Sequence, residues 1–136
     1  MQFLINIDVD DLPRAIDFYT RAFGLTEGRR LWVDGTELLG GPAPIYLLAN
    51  APGTQPAASS SQLRNYARHW TPVHLDIVVD NIDVAVERAV EAGAKLEQPV
   101  QSNTWGKLAV LADPFGHGFC LLQFVGKGYG EITAPE

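Results

Sequence analysis

His74 and Asp76 stand two residues apart in the stretch V-H-L-D-I-V-V from Val73 to Val79. That stretch has strand character, and alternate side chains of a strand share a face. The imidazole, the carboxylate and Val78 therefore project to one side. An imidazole that titrates near neutrality, with a carboxylate close by, suits a general base or a metal ligand. The alternative is a pocket-lining histidine satisfied by a polar neighbour. Cys120 is the only cysteine. As a thiolate it is a nucleophile or a soft ligand, yet no nucleophile signature surrounds it, and a buried cysteine commonly serves as a small apolar filler. Tyr46, Trp70 and Trp105 are large aromatics that suit either the walls of a site for a flat organic ligand or core packing. In Trp105-Gly106-Lys107 the glycine permits a close approach, and Lys107 is placed to meet an anionic substrate at a cavity mouth or to stay solvated. His69 and His117 read as surface or turn residues. Gly40-Gly41 is no phosphate loop, because no Gly-Lys-Ser/Thr follows and no helix starts there. Zinc-finger, dinucleotide and Gly-x-Ser-x-Gly fingerprints are absent from the sequence.

The composition narrows the class without naming a function. The 136 residues suit one domain, or two repeated halves sharing a core. Apolar residues make up 46% and charged residues 19%, too apolar for a disordered chain. Apolar runs such as Ile45 to Ala49 are far too short to span a bilayer, and the N-terminus lacks signal-peptide character. Ten basic against sixteen acidic residues leave a net charge of −6, which argues against a phosphate-backbone partner. A lone cysteine fits a reducing compartment. The expectation is a cytoplasmic protein with a small-molecule ligand and neither nucleic acid nor membrane as partner.

Hydropathy patterning supplies the elements that must carry these residues. Phe3 to Val9 alternates as a strand. Asp10-Asp11 and Pro13 then open a helix whose apolar face is Leu12, Ala15, Ile16, Tyr19 and Phe23, with Gly24 as its stop. Glu27 to Val33 and Thr36 to Leu39 read as a hairpin turning at Asp34-Gly35. Ile45 to Ala49 closes this half as a strand. Asn50 to Ser61 is rich in Ala, Pro, Ser and Gly and reads as a linker, with Arg64, Tyr66 and Arg68 forming a short helical approach to the second half. After Val73 to Val79, Ile82, Ala85, Val86, Ala89 and Val90 trace a helix face ending near Gly93. Lys95 to Val100, Trp105 to Ala112 and Phe119 to Phe124 are strands, with a turn at Asp113-Pro114-Phe115-Gly116-His117. A slide of about 70 residues places Ile5 on Leu75, Ile7 on Ile77, Val9 on Val79 and Asp10 on Asp80, so the chain is an internal repeat. The expected class is α+β: two repeated β-α-β-β-β modules forming a half-open curled sheet around a cavity. The organisation is a single domain over 1–136, with module one at 1–50, a linker at 51–70, module two at 71–125 and a tail at 126–136. Asn6 and Asp76 hold matching places in the two modules and are expected to point inward, as ligand contacts or as a structural pair.

The paired repeat, the phrase Asp11-Leu12-x-Arg14-Ala15-Ile16-x-Phe18-Tyr19, its second copy from Val79 to Val86, and the Asp113-Pro114-Phe115-Gly116-His117 turn together resemble the vicinal oxygen chelate superfamily. That group includes glyoxalase I, bleomycin-resistance proteins, fosfomycin-resistance enzymes and extradiol dioxygenases. The resemblance implies four recurring places for metal ligands, one on the first and one on the last strand of each module. Carried over individually, they fall on Leu4, Tyr46, His74 and Cys120, where the metalloenzymes hold His and Glu. Leucine cannot ligate and neutral tyrosine is a poor ligand, so no centre of the usual kind assembles from these four. Beside His74, Asp76 and Cys120 as candidate catalytic residues, the resemblance implies a pocket lined by Leu4, Asn6, Tyr46, Trp70, Trp105, Lys107 and Leu122. The leading expectation is a small-molecule binder with a degenerate metal site and no cofactor. One alternative is a lyase, isomerase or dioxygenase using a divalent metal on His74 and acting on a substrate with adjacent oxygens. Another is a metal-free enzyme using His74, Asp76 or Cys120, including a thiolate–imidazole pair. Similar proteins imply a homodimer.

Overall fold

Asp11 is the cap that the first helix needs. Its backbone is extended, and its carboxylate accepts a hydrogen bond from Arg14 N at 3.0 Å. The helix α1 spans Leu12–Phe23 and stops at Gly24, which takes the left-handed conformation at φ 67°. Asn81 repeats the device 70 residues on, accepting from Val84 N ahead of α2, Ile82–Ala92. A computed structural model describes residues 1–136, and the chain divides into two compact units, Met1–Ala67 and Arg68–Glu136.

In the first unit α1 lies between β1 (Ile5–Val9) and β2 (Thr26–Leu31), followed by β3 (Gly35–Leu39) and β4 (Ile45–Ala49). The sheet order is β1-β4-β3-β2, with β1 and β4 parallel and the other pairs antiparallel. Register decides which side chains meet. Ile7, Leu47 and Thr36 stand in one row, with Ile5, Ile45 and Leu38 in the next. Val9, Leu38 and Leu47 on this face are fully buried, as are Ala15 and Phe18 of α1, so the face is the helix-covered core. Asn6, Tyr46 and Glu37 form a row on the opposite face.

The hairpin is present but turns earlier than its Asp-Gly pair predicts. Residues 32–34 make the turn, and Trp32 takes φ 50°. Gly35 is already in β3 and buried, where a Cβ would press to 3.3 Å on Leu31 O and the Leu48 side chain. Its glycine serves close strand packing rather than a left-handed turn. Asn50 to Ala67 contains no helix at Arg64 and Tyr66. It is instead laced to β1: Arg64 Nε donates to Asp8 Oδ2 at 2.8 Å and its Nη1 to Gln55 O at 2.7 Å, while the Tyr66 hydroxyl donates to Asn50 O at 2.6 Å.

The second unit repeats the topology as β5-β8-β7-β6, from β5 (Leu75–Val78), β6 (Lys95–Asn103), β7 (Gly106–Ala112) and β8 (Gly118–Phe124). β5 is shorter than its pattern suggests, so His74 sits immediately before it rather than within it. β6 runs three residues beyond the expected Val100, with two register breaks. Ile77, Leu121 and Ala109 share the face buried under α2, and Asp76, Cys120 and Val110 share the other. Asp113 builds the turn before β8: its Oδ1 accepts from Phe115 N at 2.8 Å and His117 N at 2.9 Å, and its Oδ2 meets His117 Nδ1 at 2.8 Å. A short 3-10 helix, Gly128–Ile132, follows β8 in the stretch read as a tail. No helix in the chain is long and apolar enough to cross a membrane.

Candidate functional site

The parallel pairing of β5 with β8 sets Asp76 directly beside Cys120, with Val110 of β7 next in the row. His74 reaches back over this row, and its Nε2 lies 3.1 Å from Asp76 Oδ1. The donor atoms of His74, Asp76 and Cys120 all lie within 4.8 Å of one another. The imidazole and the carboxylate are half exposed, at 52% and 41%, and the thiol is half buried. Burial pushes the Cys120 thiol up to about 11, and the negative charge of Asp76 and a hydrogen bond to it act the same way. At neutral pH the sulfur is a protonated thiol. The thiolate–imidazole pair is therefore not preformed, because the nearest charge is the wrong sign to favour it.

A cavity of about 140 Å³ opens over this cluster. His74, Cys120 and Val110 contribute to its lining, with Phe119 beside them and Arg68, Trp70 and Thr71 from the incoming chain. Arg68 holds that incoming segment in place. Its Nε and Nη2 form a two-pronged pair with Glu97 of β6 at 2.8 and 3.0 Å, and its Nη1 donates to the carbonyls of His69 and Gly116. The guanidinium lies flat against Gly118, where a Cβ would meet Nη2 at 2.5 Å. Pairing raises Arg68 above and lowers Glu97 below their ordinary values, so both stay charged and the pair is neutral overall. Asp76 is not itself among the lining residues, and its carboxylate meets the cavity through His74 and Cys120.

The first unit carries a polar row at the matching places. Tyr46 lies between Asn6 and Glu37, and its hydroxyl donates to Glu37 Oε2 at 2.9 Å. Arg29 completes the group, donating through Nε to Oε1 at 3.1 Å and through Nη2 to Oε2 at 2.7 Å. These donors hold the Glu37 carboxyl down at about 2, with Arg29 the larger cause and Tyr46 the second. Neither Glu37 nor Arg29 stands out in the sequence. The signal lies in pairing: Glu37 follows a buried Thr36 on β3 and faces Tyr46 only once β3 and β4 are in register.

The remaining expected pocket residues scatter. Leu4 precedes β1 and is exposed, and Asn6 is exposed on the helix-free face. Leu122 shares a face with Cys120 but is only 1% exposed, so it is core rather than lining. Lys107 pairs with Gln123 one row out of phase with Val110 and Cys120, on the α2 side of the sheet, because β7 and β8 pair without a bulge. Trp105 packs into an aromatic trio with Phe124 and Tyr129, ring centres 6.3 and 5.3 Å away, at the end of the sheet. Gly106 behind it does permit a close approach, since a Cβ there would run into Gln123 O. His117 is bound into the Asp113 turn, with the His69 ring set edge-to-face 5.0 Å away.

The sequence profile of the glyoxalase-like domain family matches residues 4–122. The chain belongs to the glyoxalase-like family. An uncharacterised protein of Mycobacterium bovis is 34% identical over 136 residues, covering 96% of this chain and 86% of its own. The fold recurs in a glyoxalase/bleomycin resistance protein/dioxygenase family enzyme from Burkholderia phytofirmans, at TM-score 0.66 and 21% identity over 90% of this chain and 97% of that one. It recurs again in TnmS3, an antibiotic-binding protein from a Streptomyces species, at TM-score 0.64 and 22% identity over 92% and 96%. This membership accounts for the two modules and confirms the vicinal oxygen chelate resemblance. The four-ligand metal centre of that superfamily does not fit this glyoxalase-like chain. Leu4 has no donor atom, and the Tyr46 hydroxyl is committed as a donor to Glu37.

Proposed function

We propose that the cavity of the second unit binds a small organic molecule, with His74, braced by Asp76, as its polar contact and Trp70 and Val110 as its apolar walls. The carrying observation is the union of a cavity lined by Trp70 and Val110 with a hydrogen-bonded His74–Asp76 pair at its edge. With Nε2 of His74 given to Asp76, its Nδ1 is left for a ligand hydroxyl or amide. Cys120 stays protonated and offers a weak S–H donor. The antibiotic-binding character of TnmS3 supports this reading, as does the net charge of −6, which favours cationic ligands. A thermal-shift screen of neutral and cationic aromatic compounds tests it. A ligand at one hundred times its Kd stabilises the fold by about 2.7 kcal/mol. That gain should vanish in Trp70→Ala and shrink in His74→Ala; hits that stabilise both variants as strongly as the wild type would remove the cavity from the reading.

A second reading rests on the three donor atoms within 4.8 Å of one another. Nitrogen, oxygen and sulfur together suit a soft divalent cation. Metal analysis after dialysis against several divalent ions, with His74→Ala alongside, separates the two. About one metal per chain, lost in the variant, favours a metal-assisted reaction on a substrate with adjacent oxygens. A homodimer belongs to the leading reading. β5 is an edge strand whose last residue, Val78, is exposed, as is Val73 just before the strand, an apolar edge that a second copy would cover.

A further inference from the structure

None of Arg29, Glu37 and Tyr46 is among the residues that line the cavity proposed above. Glu37 sits on the helix-free face of the first sheet with its side chain only 6% exposed. Both its oxygens are saturated, Oε1 by the backbone N and Nε of Arg29, Oε2 by Arg29 Nη2 and the Tyr46 hydroxyl. Three features of the chain serve this arrangement. The pairing of β2 with β3 is interrupted between Glu27 and Arg30, which frees Arg29 from the regular ladder. Residue 28 is glycine, and a Cβ there would stand 2.7 Å from Glu37 Oε1. Tyr46 stands opposite Glu37 on β4, so its hydroxyl reaches the carboxylate from the other side.

The arginine itself remains 74% exposed. The convergence satisfies a nearly buried carboxylate, which stabilises the fold, and it also orients the arginine. The Nε–Nη2 edge of the guanidinium is pinned to Glu37, and the planar fork then turns its Nη1–Nη2 edge away from that carboxylate. Two parallel N–H groups on that edge match the two oxygens of a carboxylate. A guanidinium already held in place loses little freedom on binding. Glu37 offsets the charge of Arg29, so the edge recognises an anion through its paired N–H groups at short range, and repulsion from Glu37 is about twofold larger for a dianion than for a monoanion. Tyr46 and Asn6 in the same row add an acceptor and an amide for the rest of the ligand.

We propose that Arg29, clamped by Glu37 and Tyr46 over Gly28, is a second binding site, taking the carboxylate of a small organic monoanion on the open face of the first sheet. Titration of the whole chain with benzoate, followed by assigned proton–nitrogen NMR, tests this directly. Benzoate should move the Arg29 Nε–H and the amides of Gly28 and Arg29 saturably, and the neutral isostere benzamide should not. Arg29→Lys keeps the charge but loses the fork, and its Kd for benzoate should rise about tenfold. Glu37→Gln leaves the guanidinium uncompensated yet unclamped, and it should weaken benzoate binding. Tighter binding in Glu37→Gln, or equal binding in Arg29→Lys, would show attraction to bare charge and overturn the site. Inorganic phosphate binding more tightly than benzoate would overturn the carboxylate assignment. Shifts confined to residues around His74 and Cys120 would also overturn it, while leaving the cavity of the second unit standing. Arg29→Lys decides the matter if Glu37→Gln fails to fold, because the Arg29 side chain is exposed.

Discussion

Cys120 and Glu37 show how a neighbour, rather than residue type, sets chemistry. Burial first, and then the Asp76 carboxylate it faces, push the thiol up to about 11, the reverse of what a nucleophilic cysteine needs. Alkylation by iodoacetamide should therefore be slow at pH 7 and rise about tenfold per pH unit up to about pH 11, and Asp76→Asn should speed it throughout that range by removing the charge. Rapid alkylation of the wild type at pH 7 would sink this account of the site. Glu37 is shifted the other way, from an ordinary 4.5 to about 2. A carboxylate whose folded value is depressed contributes stability that is fully present above its unfolded value and lost as pH falls through the folded one. Stability should decline between about pH 4.5 and 2 in the wild type, and Glu37→Gln should flatten that decline while lowering stability at pH 7. Acid unfolding followed by circular dichroism measures both. His74, Asp76 and Cys120 could be singled out from the sequence because their types are unusual on strands. Glu37 and Arg29 could not, since a charged residue on a strand normally faces solvent and only the β3–β4 register brings Tyr46 to this one.

At the scale of elements, the helices were the most legible parts. Both begin at a side chain that accepts from the amide three residues on, and both stop at a glycine. Asp11→Ala should cost about 1 kcal/mol by urea unfolding, with no effect on the second unit's cavity. Strand ends and turns were less legible. Asp34-Gly35 has the composition of a hairpin turn, yet Gly35 is drawn into β3 by packing against Leu31 and Leu48. The Ala/Ser-rich stretch reads as a free linker, but Arg64 bridges Asp8, Thr54 and Gln55, and backbone bonds pair Gly53 and Thr54 with Arg64. These bonds depend on one arginine far along the chain from its partner, which local composition cannot report. Arg64→Ala should make residues 51–63 the first site of limited proteolysis, at a rate well above wild type; unchanged cleavage would show that the loop is held by something else.

At the scale of the molecule, a homodimer in sedimentation would have twice the 14.8 kDa of the chain, and Val78→Lys on the exposed edge of β5 should shift it toward monomer. A species that stays at 14.8 kDa at every concentration would remove that part of the proposal. The sequence by itself determined the two-module α+β fold and the residue types that stand at the places the family resemblance picks out. Repeat spacing, hydropathy period and the residue types at positions 4, 46, 74 and 120 are local properties, and they survive without coordinates. Tertiary structure alone decided which of those residues act together. Strand register placed Asp76 against Cys120 and Glu37 against Tyr46, closed Leu122 into the core and turned Lys107 to the helix side. The physical reason is the period of two in a strand: one residue of register moves a side chain to the opposite face, and the register is set by partners dozens of residues away.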